Sequence, residues 1–185
     1  MGLVRHEKKL SEKEYIQFEL QSDIKHEYVN GKLIDMLGES DLHNQLALNC
    51  CIILKMLLKD KGYSFFIEGV KVKLPDENKY FYPDVFITKE PLSKGTIYIK
   101  EHPELIVEVL SESTRKYDTV DKFINYQRFN SLQYYMLIEP ETVFISVFSR
   151  IENNDWNLNT YSKATDIIPF PQLGISFTAH EIYSL

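Results

Sequence analysis

At 185 residues, with 44% hydrophobic side chains and 12 Tyr plus 11 Phe, the chain can fill the core of one domain and is not disordered in composition. Its 27 acidic against 21 basic side chains give a formal charge of −6, which excludes a broadly basic nucleic-acid coat. No apolar run approaches the roughly 18 residues of a membrane span, so no membrane partner is expected.

Met1–Glu7 lacks the apolar core of a secretory signal. Met1-Gly2 opens like a myristoylation site, but Lys8 and Lys9 do not continue that pattern. Ser11-Glu12-Lys13-Glu14 is a capping box, with Ser11 as N-cap and Glu14 three residues on, and it predicts a short helix carrying Tyr15, Ile16, Phe18 and Leu20. His26–Ile34 reads as a hairpin around Asn30-Gly31, the strongest short-range hairpin signal. Ser40 or Asp41 caps a long helix expected to run to about Lys61 and to stop at Gly62. Cys50 and Cys51 fall in this helix; being adjacent they cannot staple the fold, and as reduced core thiols they imply a cytoplasmic location.

Strand patterns follow at Tyr63–Leu74, Phe81–Thr88 and Glu104–Leu110, with a turn at Pro75–Asn78 and a surface loop over Lys89–Lys100. A helix is predicted over Tyr117–Phe129, strands at Gln133–Ile138, Thr142–Ser149 and near Trp156–Tyr161, and a closing helical piece around Thr178–Tyr183. No repeat or linker divides the chain. The order predicts a single α/β (α+β) domain over 1–185 with a mixed central sheet.

Four polar residues stand where apolar ones are expected. Glu108 interrupts the run Leu105–Leu110; Asp84 follows Tyr82-Pro83 at the front of Val85-Phe86-Ile87; Glu27 lies in the first hairpin strand; Lys122 lies on the helix after Glu108. A buried carboxylate needs a compensating partner, and carboxylates on neighbouring strands repel unless a cation sits between them. Asp84 and Glu108, with the backbone carbonyl of Val109, offer the few oxygen ligands that Mg²⁺ takes beside water and substrate oxygens. Such an ion suits phosphodiester hydrolysis, and a lysine ammonium can position the attacking water. Each residue also has a plain structural reading. Asp84 can end a turn, Glu108 and Glu27 can face solvent, and Lys122 can form a surface ion pair with Asp118 four residues earlier. On a helical wheel the polar face is Asp118, Asp121, Asn125 and Arg128, the apolar face is Val120, Phe123, Ile124 and Gln127, and Lys122 is on the border.

In order, Tyr82-Pro83-Asp84, then Val107-Glu108-Val109-Leu110-Ser111-x-Ser113-Thr114 with Glu108 standing 24 residues after Asp84, then Asp118-x-x-x-Lys122, resemble the Uma-type restriction endonucleases of the PD-(D/E)XK nuclease superfamily. Lys25–Leu33 is similar to that family's "YELIDGEL" stretch, His43 falls where the family often places a histidine, and Tyr126 with Gln133–Pro140 resembles its "Y…EYWIVDP" ending. The resemblance implies a restriction-endonuclease-like fold with Asp84, Glu108, Lys122 and Glu27 as catalytic residues. It also implies Mg²⁺ or Mn²⁺ as cofactor, DNA as substrate and a homodimer. The superfamily's E-x-K lysine would stand at position 110, where this chain has Leu110, so the role passes to Lys122 if its helix folds back over the strand. Asn30 and Lys32 replace acidic residues usual near Glu27. Two other functions compete: a non-catalytic nucleic-acid- or protein-binding module of the same fold, which the net acidity favours, and a metal-dependent hydrolase of small phosphate esters.

Overall fold

The protein is described from a computed structural model covering residues 9–36, 38–92 and 98–184. The expectations placed on Met1–Lys8 and on 93–97 of the loop lie outside the described residues. Among the described residues no helix is long and apolar enough to cross a membrane.

Local chemistry sets the first elements. Ser11 and Glu14 close the capping box that opens α1 (Glu12–Glu19). Asn30 and Gly31, with φ of 51° and 96°, form the tight turn joining β1 (His26–Val29) to β2 (Lys32–Asp35), whose partners include Glu27 opposite Ile34. Ser40 caps α2 (Asp41–Leu58), which ends three residues short of the expected Lys61; Gly62 then turns the chain at φ 77°.

The two long strand patterns that follow do not form two long strands. Tyr63–Leu74 divides into β3 (Ser64–Ile67) and β4 (Lys71–Lys73), and Phe81–Thr88 divides into β5 (Lys79–Phe81) and β6 (Val85–Thr88). Glu68, at φ 49°, breaks the first ribbon, and Tyr82-Pro83-Asp84 breaks the second, Pro83 having no N–H to give a ladder. Each ribbon leaves one sheet and enters another at its break, and the breaks meet where the Glu68 N–H donates to the Asp84 carbonyl at 3.1 Å. The predicted loop also contributes a short strand, β7 (Ile99–Lys100), parallel to β4.

The remaining strands are β8 (Pro103–Val109), β9 (Tyr134–Ile138), β10 (Ile145–Arg150), β11 (Trp156–Tyr161), β12 (Ile167–Phe170) and β13 (Ile175–Thr178), and α4 (Ala179–Tyr183) closes the described chain. The hairpin β12–β13 was not anticipated: Pro169 and Pro171 mask its alternation. Three sheets result, in the orders β11-β10-β9-β8-β6-β3, β2-β1-β5-β4-β7 and β12-β13. The six-stranded sheet is mixed, since β8 and β9 run parallel and its other neighbours antiparallel.

Alternation along β8 assigns its two faces. Leu105, Val107 and Val109 join the core under α2 and α4, with Leu46, Leu54, Met136 and Ile182. Ile106 and Leu110 join a second core, formed with the five-stranded sheet (Val72, Phe81) and the helix after β8 (Tyr117, Tyr126). Glu108 shares the parity of Ile106 and Leu110, and is therefore aimed between the two sheets.

That helix departs from the predicted α-helix. Tyr117–Lys122 is π-helical and only Phe123–Tyr126 (α3) is α-helical. Asp118, Lys122 and Tyr126 share one buried face, while Val120 and Ile124 are 44% and 60% exposed. The face read from the wheel as polar and outward, with Asp118, is therefore the buried one, and Val120 and Ile124 of the apolar face point to solvent.

The Gly31 conformation is demanding, and a Cβ there would meet the Leu10 carbonyl and Lys9 at 3.4 Å. Gly31→Ala is expected to lower stability by about 1–2 kcal/mol, the cost of a left-handed residue, read as a lower urea midpoint at unchanged slope.

Candidate active site

Four elements bring carboxylates to one place. β1 carries Glu27, whose Oε1 accepts the N–H of Tyr82 at 3.1 Å, a donor released where β5 ends. The Tyr82–Asp84 break carries Asp84, whose Oδ2 accepts the Val109 N–H of the neighbouring β8 at 2.7 Å. β8 carries Glu108, and the π-helix carries Asp118. Ser111 helps to turn the chain between them: its hydroxyl accepts the Thr114 N–H and contacts the Ser113 and Thr114 hydroxyls.

The ammonium of Lys122 is the meeting point. It lies 3.0 Å from Glu108 Oε1, 3.1 Å from Asp118 Oδ1 and 3.2 Å from Glu27 Oε1. Tyr126 donates to the same Glu108 oxygen at 2.9 Å, and Lys122 lies 5.7 Å from the Tyr117 ring centre. The helix does fold back over β8, so that Lys122 reaches Glu108, while Leu110 packs in the second core. The Asp118–Lys122 pair exists, but it is buried rather than on the surface. On the far side of Asp84, His43 Nε2 stands 3.2 Å from Oδ2 and Nδ1 stands 3.5 Å from Glu39 Oε2.

Charge in this cluster does not balance. Glu27, Glu108, Asp118 and Asp84 are all buried, against Lys122 and His43; burial works to deprotonate His43, and Asp84 and Glu39 more than offset it. Burial drives the Glu108 carboxyl well above the ordinary range; Lys122 pulls it back, and Asp84, Asp118 and Glu27 push it up again. Burial likewise raises Glu27 and Asp118 against the pull of Lys122. Burial works to deprotonate Lys122, but Asp118, Glu108 and Glu27 more than offset it and hold the ammonium well above its usual value. Among the described residues, the buried side-chain atoms whose contacts fall short of well-formed hydrogen bonds belong here: both His43 ring nitrogens, the Tyr117 hydroxyl and Asp118 Oδ1, each facing a charged neighbour. The excess of buried carboxylates fits a site that receives a cation.

Among the described residues no three His, Cys, Asp or Glu side chains are set to hold a metal ion by themselves. Asp84 and Glu108 remain as two carboxylates on adjacent strands, the number that Mg²⁺ takes when water and substrate supply the other ligands. A pocket of about 310 Å³, lined by Lys25, Met36, Glu39, Asn44 and Glu68 among others, opens onto Asp84.

A profile of the Uma2 family, described as "Putative restriction endonuclease", matches residues 12–180. The chain belongs to the Uma2 family. Two relatives from Synechocystis sp., "Uncharacterized protein slr1290" and "Uncharacterized protein sll1609", are 31% and 32% identical over 175 and 160 residues. These alignments cover 95% and 85% of this chain and 92% and 90% of the relatives. A crystal structure of "a putative nuclease belonging to DUF820" from Anabaena variabilis superposes with a TM-score of 0.77 at 16% identity, over 95% of this chain and 98% of that one. The fold is restriction-endonuclease-like, and family and fold together support a nuclease.

Within this Uma2 chain Asp118 is the site residue that sequence reasoning placed elsewhere. One signal pointed to it: Asp118, Lys122 and Tyr126 recur every four residues, the spacing of one face of a helix. Tyr117 gave no such signal, since an aromatic beside a helix start is ordinary core.

The sign of the shifts fixes a pH dependence. Glu27 and Glu108 have folded values raised above 4.5, so their protonated forms stabilise the fold and that stability is lost as pH rises through the folded values. Lys122, raised above 10.5, holds its contribution throughout the neutral range. Stability in EDTA, measured by urea unfolding, is therefore expected to fall as pH rises above the ordinary carboxylate range, and Glu108→Gln should flatten that slope. Stability that rises with pH there would contradict the charge imbalance. Lys122→Ala should cost about 3–5 kcal/mol at neutral pH, as for one partner removed from a buried ionic group.

Proposed function

We propose that the chain is a Mg²⁺-dependent DNA endonuclease that hydrolyses phosphodiester bonds, with Mn²⁺ as an alternative ion and residues 1–185 acting as one domain. The observation that carries this reading is the convergence of Glu27, Glu108 and Asp118 on Lys122 beside Asp84, with more buried negative than positive charge. Asp84 and Glu108, with the Val109 carbonyl, would hold the ion. A bound Mg²⁺ supplies a lower pKa for water and offsets charge developing at phosphorus.

The chain's own residues do the rest. The Lys122 ammonium, whose three N–H groups meet Glu108, Asp118 and Glu27, acts through its charge, offsetting negative charge that develops on the phosphate. Glu27 positions that ammonium from the hairpin side and can accept a proton, since its pKa is raised. Tyr126 fixes Glu108 by donating to one oxygen, leaving the other for a ligand. Cutting both strands of a duplex calls for two such sites, hence a homodimer. The pair of unbridged cysteines in α2, one buried and one partly so, supports a reducing cytoplasmic setting.

The alternative, a binding module without catalysis, draws on the burial of Lys122 and Glu108, 5% and 2% exposed. Metal titration separates the two. At one hundred times its dissociation constant, Mg²⁺ or Mn²⁺ should stabilise the wild type by about 2.7 kcal/mol. Asp84→Asn and Glu108→Gln, which keep side-chain shape, should lose that gain and lower plasmid nicking by on the order of a hundredfold or more. Wild-type protein that shows neither metal stabilisation nor nicking supports the binding module instead.

A further inference from the structure

A second pocket, of about 460 Å³, lies at the turn end of the β1–β2 hairpin, between the hairpin and the π-helix. It shares Tyr117 with the carboxylate cluster: the same ring that lies 5.7 Å from the Lys122 ammonium lines this pocket, and its hydroxyl faces Glu27. The Asp84 pocket lies at the opposite end of the hairpin, against Lys25 and Met36. The two pockets therefore flank the cluster along one hairpin.

The lining has two chemistries. Lys9 and Lys32 stand on the hairpin side. Lys9 is held there by its neighbour, since the Leu10 N–H donates to the Gly31 carbonyl at 2.8 Å, and Lys32 follows Gly31 directly. Among the described residues, Lys73, Lys79 and Lys89 are joined to carboxylates, whereas Lys9 and Lys32 form no ion pair with one. Val29, Ile34 and Ile124 give apolar wall. Asp121 stands on the helix side, which disfavours an anion there and directs one to the lysines.

We propose that this pocket is a subsite for one nucleotide of single-stranded DNA, with its phosphate on Lys9 and Lys32 and its base against Ile34 and Ile124. The inference rests on the nuclease reading and concerns how the protein holds one strand of a locally opened duplex. Two ammonium groups suit a phosphate as point charges, and the apolar wall suits a base face, as in single-strand channels that pair basic groups with stacking surfaces. The volume lies within the range of small-ligand sites and is far too small for a duplex. A net charge of −6 leaves no broad basic surface to follow a duplex backbone.

Fluorescence anisotropy with labelled dT12, a matched duplex and rU12, in buffer with Ca²⁺ in place of Mg²⁺, tests the assignment. Wild type should bind dT12 more tightly than either competitor. Lys9→Ala combined with Lys32→Ala should weaken dT12 binding about tenfold or more. It should also reduce the slope of log K against log salt by about 1.4, the value for two phosphate contacts on a single strand. Ile124→Glu should weaken binding at unchanged thermal stability, because Ile124 is 60% exposed, and Ile124→Leu should restore it. An unchanged slope in the double lysine variant overturns the subsite, and so does tighter binding of duplex or rU12. Absence of Mg²⁺-dependent nicking with these binding results intact overturns the nuclease and leaves the subsite.

Discussion

A buried ammonium surrounded by carboxylates is stable only if every partner is held in place, because an ion removed from water has no solvent to fall back on. Lys122 meets that condition through three separate elements: Glu108 from β8, Glu27 from the hairpin and Asp118 from its own π-helical turn. The hairpin, the central sheet and the helix are consequently tied at one point. Displacing any of them exposes an unpaired charge rather than merely losing a contact. Tyr126 and Tyr135 reinforce the tie, the first through Glu108 and the second by donating to the Asp118 carbonyl at 2.9 Å.

The same cluster carries more negative charge than its lysine neutralises. Groups arranged for stability alone would be balanced or apolar, since a hydrophobic replacement for a buried ion pair is often no less stable. The excess is concentrated where β5 gives way to β6 and where β8 offers the Val109 N–H to Asp84. Shifted carboxyl groups in that setting are what an active site needs to change protonation near neutrality.

Net charge and local charge act at different ranges. An overall −6 weakens long-range attraction to a polyanion. It leaves untouched the two exposed lysines at the Asn30-Gly31 turn, which act at short range through water and salt, and the buried ammonium of the cluster, whose low-dielectric surroundings strengthen its local interactions. Membership of the Uma2 family and the restriction-endonuclease-like fold are compatible with an acidic chain for that reason.

Where local chemistry decides conformation, the amino-acid sequence was sufficient. Asn30-Gly31 determined the hairpin turn, Ser11 and Glu14 the start of α1, and Thr178 with Glu181 the capping box at α4. A carboxylate in the middle of an apolar strand marked Glu108, and the order Asp84, Glu108, Lys122 marked the residues that meet or adjoin in the cluster. Tertiary packing alone decided the rest. Two apolar ribbons each split between sheets because Glu68 and Pro83 interrupt them, and alternation by itself does not say which sheet a segment joins. The helix after β8 turns the face with Asp118, Lys122 and Tyr126 inward although it is the more polar one, because Glu27 and Glu108 wait there for the ammonium, and no propensity scale reports a partner from another element. Lys122 meets Glu108 only because the chain turns back over β8, a long-range geometry that spacing along the sequence does not contain.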